Sequence, residues 1–186
     1  MPIGSNNVRV CDDRDHPRKE RVIGEIQLRS RTLFSGYYKG PALSAVLTAD
    51  GWYRAGDCGY TAEGELFFTG RKRDLIIVGG NNIAPEDIEA LTYNIDGILA
   101  ERTAAFGIPD PALGTESIIL VVEGRRGLSE KQKTALARQL ARLIYRETGL
   151  APGAVHVMPR GWVCRTRNGK ISRARTREKF LSLAVK

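Results

Sequence analysis

The segment between Gly51 and Glu89 constrains the fold of this chain most, because it alternates chain-reversing residues with short apolar runs. Its TAEGE stretch predicts a turn between two strands, with Gly64 in the left-handed backbone region that glycine adopts at low cost. The second of these strands is expected at Glu65–Thr69. A further apolar run, Leu75–Val78, is too short for a helix and rich in β-branched residues, so it predicts another strand.

A helix is predicted directly after this strand. The glycine and asparagine residues at 79–82 end the strand, and Pro85 stands where the first helical turn tolerates proline. Three acidic residues follow within the next four positions, near the positive end of the helix dipole. The helix should therefore run from Pro85 to about Tyr93.

The pattern changes at Asp74. Before it, Asn7–Cys11 and Val22–Arg29 predict strands, the second because apolar and polar residues alternate. After it, strands and helices mix, which predicts an α+β fold. The expected strands there are Arg102–Ile108, Ser117–Glu123 and Ala154–Met158; the expected helices are Ser129–Glu147, with Ser129 as N-cap, Gly149 as stop and Leu136, Leu140, Leu143 and Ile144 on the core face, and Ala174–Leu183.

Composition narrows the function classes. The 186 residues carry a formal charge of +8, which permits anionic partners such as nucleic acid, nucleotide phosphates or an acidic carrier protein, although a solvated basic surface with no single partner is the better explanation. Three cysteines without CxxC spacing favour a reducing compartment and no metal site. No apolar run reaches the roughly 20 residues of a membrane span, and the N-terminus lacks a signal-peptide core. A cytoplasmic protein is expected.

Several motifs then occur in an order that resembles one family. They are Gly51–Asp57 (GWYRAGD), Gly70–Asp74 (GRKRD), the Gly79 and Gly80 pair, Ile83–Glu89 (IAPEDIE) and, far downstream, Arg167–Arg173 (RNGKISR). This order is similar to that of the acyl-adenylate-forming enzymes, which comprise acyl-CoA synthetases, fatty acyl-AMP ligases, peptide-synthetase adenylation domains and luciferases. The motifs between Gly51 and Glu89 form one match, and the downstream Arg167–Arg173 motif forms a second. Two separate matches in the right order are much harder to obtain by chance than one glycine-rich loop.

The resemblance assigns Lys170 to the adenylation step, where it would bridge the acyl carboxylate and the α-phosphate of ATP. Its long stem and the neighbouring glycine suit a cation that must reach a ligand. The resemblance implies that Asp57 accepts hydrogen bonds from the two hydroxyl groups of the ribose. An ionised carboxylate suits this role because it can only accept hydrogen bonds. It lets Arg71 donate to the ribose or to the phosphate through its planar fork. We expect Asp57 to be exposed after the Gly-Trp-Tyr turn.

Two further positions follow from the same resemblance. Asp74 matches the hinge residue, whose backbone absorbs the rotation of the small domain between adenylation and acyl transfer. Gly79 and Gly80 match the loop along which the pantetheine arm of CoA or of a carrier protein passes, where glycine leaves room because it has no Cβ atom. Many members of the family have arginine in place of Gly79, so no anion contact is expected from that residue.

The resemblance covers only the C-terminal part of the family's fold. The phosphate-binding loop, the segment that holds adenine and Mg²⁺, and the acyl pocket have no counterpart in this sequence. Residues 1–73 would then be a β-rich, β-barrel-like remnant of the large adenylating domain, and residues 74–186 the compact α+β lid domain, with a small central sheet flanked by helices. ATP or AMP, Mg²⁺ and CoA or phosphopantetheine would act in the complete enzyme, and the isolated chain should be inactive.

Alternatives remain open at this stage. The acyl acceptor is either CoA or an acyl or peptidyl carrier protein, and Phe34–Tyr38 together with Asp74–Val78 slightly favour the fatty acyl-AMP ligase branch. The chain could instead be a non-catalytic module that docks on a carrier protein or on a larger subunit such as the missing N-terminal domain. Nucleic-acid binding rests on net charge alone and is disfavoured. The sequence does not indicate the acyl substrate or the oligomeric state.

Overall fold

A computed structural model describes residues 7–36, 38–40 and 42–184. Tyr37, which belongs to the 34–38 motif considered above, lies outside the described residues. The chain separates into two compact units, Met1–Arg73 and Asp74–Lys186. The described residues form nine β-strands and three α-helices, so the α+β prediction is confirmed.

The first unit is built on one antiparallel sheet. Its strands are β1 (Asn7–Cys11), β2 (Gly24–Arg29), β3 (Tyr53–Ala62) and β4 (Glu65–Arg71), in the order β1-β2-β3-β4. The four described strands leave β1 and β4 as edges and do not close into a barrel, so the β-rich piece is an open sheet.

Strand β2 contains a buried glutamine, although the alternation of apolar and polar residues predicted that its polar residues face solvent. Gln27 is fully buried although it is polar. Its side-chain oxygen accepts a hydrogen bond from Arg9 Nε at 2.8 Å, and its amide nitrogen donates to Asp15 Oδ1 at 2.7 Å. Because both amide atoms are satisfied, burial carries little penalty, and β2 is covered on both faces.

Two hairpins have the same two-residue turn. Glu63 and Gly64, with φ of 54° and 80°, join β3 to β4, as the sequence predicts for Gly64. Gly79 and Gly80, with φ of 56° and 81°, join β5 (Ile76–Val78) to β6 (Asn81–Ile83). Two consecutive residues with positive φ match the twist of the flanking strands. Strand β5 ends at Val78, as the sequence predicts, but the paired strand β6 into which these glycines turn the chain was not predicted.

The second unit has a larger sheet covered on both faces. Strands β7 (Ile98–Asp110), β8 (Thr115–Gly124) and β9 (Ala154–Met158) lie in the order β7-β8-β9; β7 and β8 are antiparallel, and β8 and β9 are parallel. The helices are α1 (Pro85–Ala90), α2 (Glu130–Thr148) and α3 (Arg173–Ala184). Alternate residues of β8 contribute to two hydrophobic clusters, one containing α2 side chains and the other containing Phe180 of α3.

The helix ends follow local signals with one exception. The side chain of Ser129 caps α2 in a reciprocal capping box with Gln132, and Gly149 ends the helix with a φ of 72°. Helix α1 is shorter than predicted, because regular hydrogen bonding stops at Ala90 and turns follow. Within the described ranges, no helix is long and apolar enough to cross a membrane.

Candidate functional site

Asp57 and Arg71 lie opposite each other in the first unit. They are register partners on β3 and β4, so Asp57 belongs to a strand, which the sequence did not predict for the residues after the Gly-Trp-Tyr turn. Arg71 Nε stands 3.6 Å from Asp57 Oδ1, and the two side chains are 55% and 37% exposed. This distance exceeds that of an N–H···O hydrogen bond, so the carboxylate keeps acceptor capacity toward solvent.

A neighbouring lysine forms a tighter cluster that the sequence did not single out. Lys72 Nζ lies 2.8 Å from Glu25 Oε2 and 2.9 Å from Asp13 Oδ1. Burial alone would lower the pKa of Lys72, but its hydrogen bonds to the two carboxylates outweigh burial and raise the pKa. Lys72 is therefore engaged by two carboxylates of its own unit, whereas the side chain of its neighbour Arg71 is more exposed.

Lys170 closes a compact turn in the second unit. Arg165 and Ile171 form an isolated bridge at its base, and Thr166 N donates to Lys170 O at 2.8 Å. Gly169 holds a φ of 79°, and Lys170 N donates to Thr166 Oγ1 at 3.2 Å. The side chain of Lys170 is exposed, and its ammonium group forms no ion pair among the described residues. The turn thus fixes the backbone and leaves the cation available.

An arginine directly after this turn is the centre of a buried charge cluster. Arg173 donates from Nε to Glu89 Oε1 at 2.7 Å and from Nη2 to Glu89 Oε2 at 2.6 Å, which is a bidentate pair. Its Nη1 lies 2.7 Å from Glu86 Oε1 and 3.3 Å from Asp74 Oδ2. The side chains of Arg173 and Glu89 are only 14% and 3% exposed. The cluster joins the candidate hinge residue, α1 and the first residue of α3.

Burial and ion pairing shift the pKa values of Glu89 and Arg173 in opposite directions. Burial raises the pKa of Glu89, while Arg173 and the backbone N–H of Ala105, which donates to Glu89 Oε1 at 3.0 Å, work against the rise. Burial alone would lower the pKa of Arg173, and the hydrogen bonds that Arg173 donates to Glu89 raise it instead. One guanidinium shared by three carboxylates leaves Glu89 only partly compensated.

Sequence reasoning did not predict this cluster, although its members lie in recognised motifs. Arg173 ends the RNGKISR motif and Glu89 ends IAPEDIE, and the two residues are 84 positions apart in the sequence. Both motifs therefore contained the signal. Their separation concealed the pairing, because a contact of that range depends on how the strands and helices pack.

A second buried carboxylate supports the segment that leads to the Lys170 turn. Glu123 on β8 is fully buried, and its Oε1 accepts a hydrogen bond from Val163 N at 2.8 Å. Its Oε2 lies 4.0 Å from Arg102 Nη1. Val163 also belongs to the cluster with Trp162. The backbone before Lys170 is thus anchored in the core.

The hairpin turn at Gly79 and Gly80 combines an anchored base with an open tip. Gly79 N donates to Thr115 Oγ1 at 2.9 Å, and that hydroxyl donates to Ile77 O at 2.8 Å. Ile77 N donates to Glu116 Oε2 at 2.8 Å. A Cβ atom added at either glycine would meet no heavy atom within 4 Å. A ligand can therefore approach the backbone of this turn closely.

The six predicted site residues thus fall into two groups. Asp57 and Arg71 are brought together in the first unit, whereas Asp74, Gly79, Gly80 and Lys170 belong to the second. Within the second unit, Asp74 contacts Arg173, three residues after Lys170. Across the described part of the chain, no group of three acidic, histidine or cysteine residues is arranged to hold a metal ion.

Comparison with known proteins gives consistent relatives. No protein-family model matches the chain. It is 41% identical over 123 residues to a sulfoacetate–CoA ligase of Cupriavidus necator, which covers 65% of this chain and 24% of the relative. It is 34% identical over 178 residues to the long-chain-fatty-acid–AMP ligase FadD26 of Mycobacterium marinum, which covers 87% of this chain and 30% of the relative.

A solved structure extends the likeness to three dimensions. The structure of McyG A-PCP complexed with phenylalanyl-adenylate matches with a TM-score of 0.82 and 28% identity, over 95% of this chain and 28% of that chain. The chain therefore spans less than a third of the length of the relatives it matches.

Proposed function

Because the chain corresponds to the C-terminal portion of the acyl-adenylate-forming enzymes, we propose that it completes the active site of an ATP-dependent acyl ligase. In the first half-reaction, a carboxylate oxygen attacks the α-phosphorus of ATP, and the bond to the bridging oxygen of pyrophosphate breaks. In the second, a phosphopantetheine thiol loses its proton, its sulfur attacks the acyl carbon, and AMP leaves. A thioester is the product.

Lys170 carries the proposal for the first half-reaction. Two anions must approach each other when acid and ATP react, so a cation is required between them. The Lys170 ammonium is exposed, unpaired within the described residues and presented by a turn with three internal hydrogen bonds. A cation in a pre-formed position needs little reorganisation when charge develops on the phosphate.

Asp57 and Arg71 are proposed to bind the nucleotide. The half-exposed Asp57 carboxylate can accept hydrogen bonds from both hydroxyl groups of a ribose, and Arg71 can donate to the ribose or to a phosphate. Their mutual distance of 3.6 Å leaves both groups with free hydrogen-bonding capacity. Mg²⁺ is proposed to bind in the remainder of the complete enzyme, where the resemblance places the segment that holds adenine and Mg²⁺.

Asp74 and the glycine hairpin are proposed to serve the change between half-reactions. Asp74 lies at the boundary between the two compact units, where a change in its backbone torsions would rotate one unit against the other. The open backbone at Gly79 and Gly80 would let a pantetheine arm pass. Either CoA or a carrier protein can supply that arm, and the relatives include ligases of both a CoA and an AMP type.

The first experiment is a chimera in which this chain replaces the corresponding portion of a homologous acyl ligase. Acid-dependent ATP–pyrophosphate exchange measures adenylation. We expect Lys170→Ala to lower the exchange rate by roughly 10²–10³-fold, the usual effect of removing one pre-organised donor. Arg167→Ala, at an exposed position of the same turn, is the matched control and should change little. The isolated chain should catalyse no exchange.

Equal rates for the two variants in an active chimera would contradict the role of Lys170. A chain that binds carrier protein but leaves exchange insensitive to Lys170 would instead support a docking module without catalysis.

The second experiment separates acyl transfer from adenylation. Gly80→Asn adds a side chain at the open turn while tolerating positive φ, so the hairpin should persist. Thioester formation should fall about tenfold or more while pyrophosphate exchange is retained. Gly64→Asn is the control, because Gly64 has an almost identical φ of 80° in the other hairpin. Loss of both half-reactions, or of neither, would argue against the pantetheine role.

A further inference from the structure

One face of α2 carries a regular row of arginines. Arg138, Arg142 and Arg146 follow one another at intervals of four residues, and all three are exposed. Since a helix rises about 1.5 Å per residue, successive guanidinium groups originate about 6 Å apart along one side of the helix. None of these residues belongs to the candidate site.

The arginines border an apolar groove, here named the α2 groove. Its apolar lining comes from Ile95, Ala135 and Leu143, and it forms an open cavity of about 580 Å³. Ile95 follows α1, so the groove lies between α2 and the segment after α1. Leu143 was predicted to lie on the core face of α2, yet the buried residues of that helix are Leu136, Leu140 and Ile144, and Leu143 lines this groove instead.

The positive charge along the groove is not neutralised locally. Among the described residues, Arg138 and Arg142 form no ion pair or hydrogen bond, and no acidic side chain lines the groove. Arg146 pairs with Glu147 at 2.7 Å, but both side chains are largely exposed, and such pairs are weak. The row therefore remains available to a negatively charged partner.

We propose that the α2 groove docks an acidic amphipathic helix of another protein. A helix with carboxylates at every fourth position repeats at the same interval of about 6 Å, so it can place one carboxylate against each arginine. Its apolar residues would cover Ile95, Ala135 and Leu143. An apolar centre bordered by arginines is the usual composition of a protein interface, in which burial supplies affinity and charge supplies orientation.

The apolar lining distinguishes this partner from a nucleic acid. Phosphate contacts need only exposed cations, and a nucleic-acid backbone gains nothing from Ile95 and Leu143. Lipid insertion would require the apolar face of α2, but Leu136, Leu140 and Ile144 of that face are buried in the core. A folded acidic helix satisfies both features of the groove.

The test uses the full chain and a synthetic fluorescent peptide, with binding followed by anisotropy at low salt. The peptide is a helix with glutamate at three positions four residues apart and leucine on the adjoining face. Arg138→Glu combined with Arg142→Glu should weaken binding at least about tenfold by replacing attraction with repulsion. Arg126→Glu combined with Arg160→Glu changes the net charge equally at exposed positions outside the groove, and should change affinity less than about twofold. Replacing the peptide leucines with serine should abolish binding.

Several results would overturn the proposal. Equal weakening by the two double variants would show a general charge effect, and undiminished binding of the serine peptide would exclude the apolar groove. Competition by duplex DNA that depends on Arg138 and Arg142 would assign the row to nucleic acid, and no binding of the leucine peptide would refute docking. Circular dichroism of both variants establishes that each remains folded. None of these outcomes depends on adenylation, so the proposed function is tested separately.

Discussion

Two arginines of this chain face carboxylates in opposite environments. Arg173 is 14% exposed and makes a bidentate contact with Glu89 at 2.6 and 2.7 Å. Arg71 is 55% exposed and stays 3.6 Å from Asp57. The guanidinium group of Arg173 is engaged by carboxylates of the same chain, whereas that of Arg71 keeps N–H donors free for another partner. The same residue type therefore serves architecture in one unit and is open to a ligand in the other.

Desolvation explains why the two pairs should differ in energy. Removing one partner from a buried pair leaves an uncompensated charge in a medium of low polarity, which typically costs about 3–5 kcal/mol. An exposed pair is screened by water and salt and contributes about 0–1 kcal/mol. Variants at the two arginines should therefore fall at opposite ends of the stability scale.

The largest effect is expected from Arg173→Met. It leaves Glu89 buried without its partner and should lower the free energy of unfolding by about 3–5 kcal/mol, measured by urea denaturation. Adding Glu89→Gln removes the orphaned charge while the amide oxygen still accepts from Ala105 N, so the double variant should recover more than half of the loss. Arg167→Met is the exposed control. A loss below about 1 kcal/mol would remove the contrast with the exposed pair.

A smaller effect concerns the pH dependence of that loss. Burial raises the pKa of Glu89, so its titration favours the folded state at low pH, and this contribution disappears as pH rises through the folded-state pKa. Without Arg173, the opposing influence on Glu89 is gone and its pKa rises further. The stability difference between the unchanged chain and Arg173→Met should thus narrow by about 1–2 kcal/mol between about pH 7 and pH 5. A constant difference would show that Glu89 does not become protonated.

The smallest stability effect should come from Arg71→Ala. The free energy of unfolding should fall by at most about 1 kcal/mol, and this difference should vanish in about 1 M salt, because exposed charges are screened. In the chimera, the same variant should raise the KM for ATP roughly tenfold through loss of a charge-assisted hydrogen bond. A large loss of stability with an unchanged KM would reverse the roles of the two arginines.

Local sequence signals predicted much of the fold but few of the contacts at the candidate site. The capping residue Ser129, the stop at Gly149 and the Gly64 turn are local features, and the structure confirms each. The second strand of the glycine hairpin was missed, since Asn81–Ile83 has no strong strand preference and forms because two glycines return the chain to Ile76–Val78. Asp57 was expected only as an exposed residue after the Gly-Trp-Tyr turn, and its pairing with Arg71 on β4 was not anticipated.

The order of short motifs, the strands and the main helices were determined by the sequence itself, because turns, caps and hydrophobic periodicity act over a few residues. Homology to acyl-adenylate-forming enzymes was evident from the same local motifs. Only the tertiary structure decided that Arg173 would bind Glu89 and Asp74, that Gln27 and Glu123 would be buried with hydrogen-bond partners, and that Arg71 would stay open. These outcomes depend on desolvation and on contacts between distant elements, which appear only when helices and strands pack.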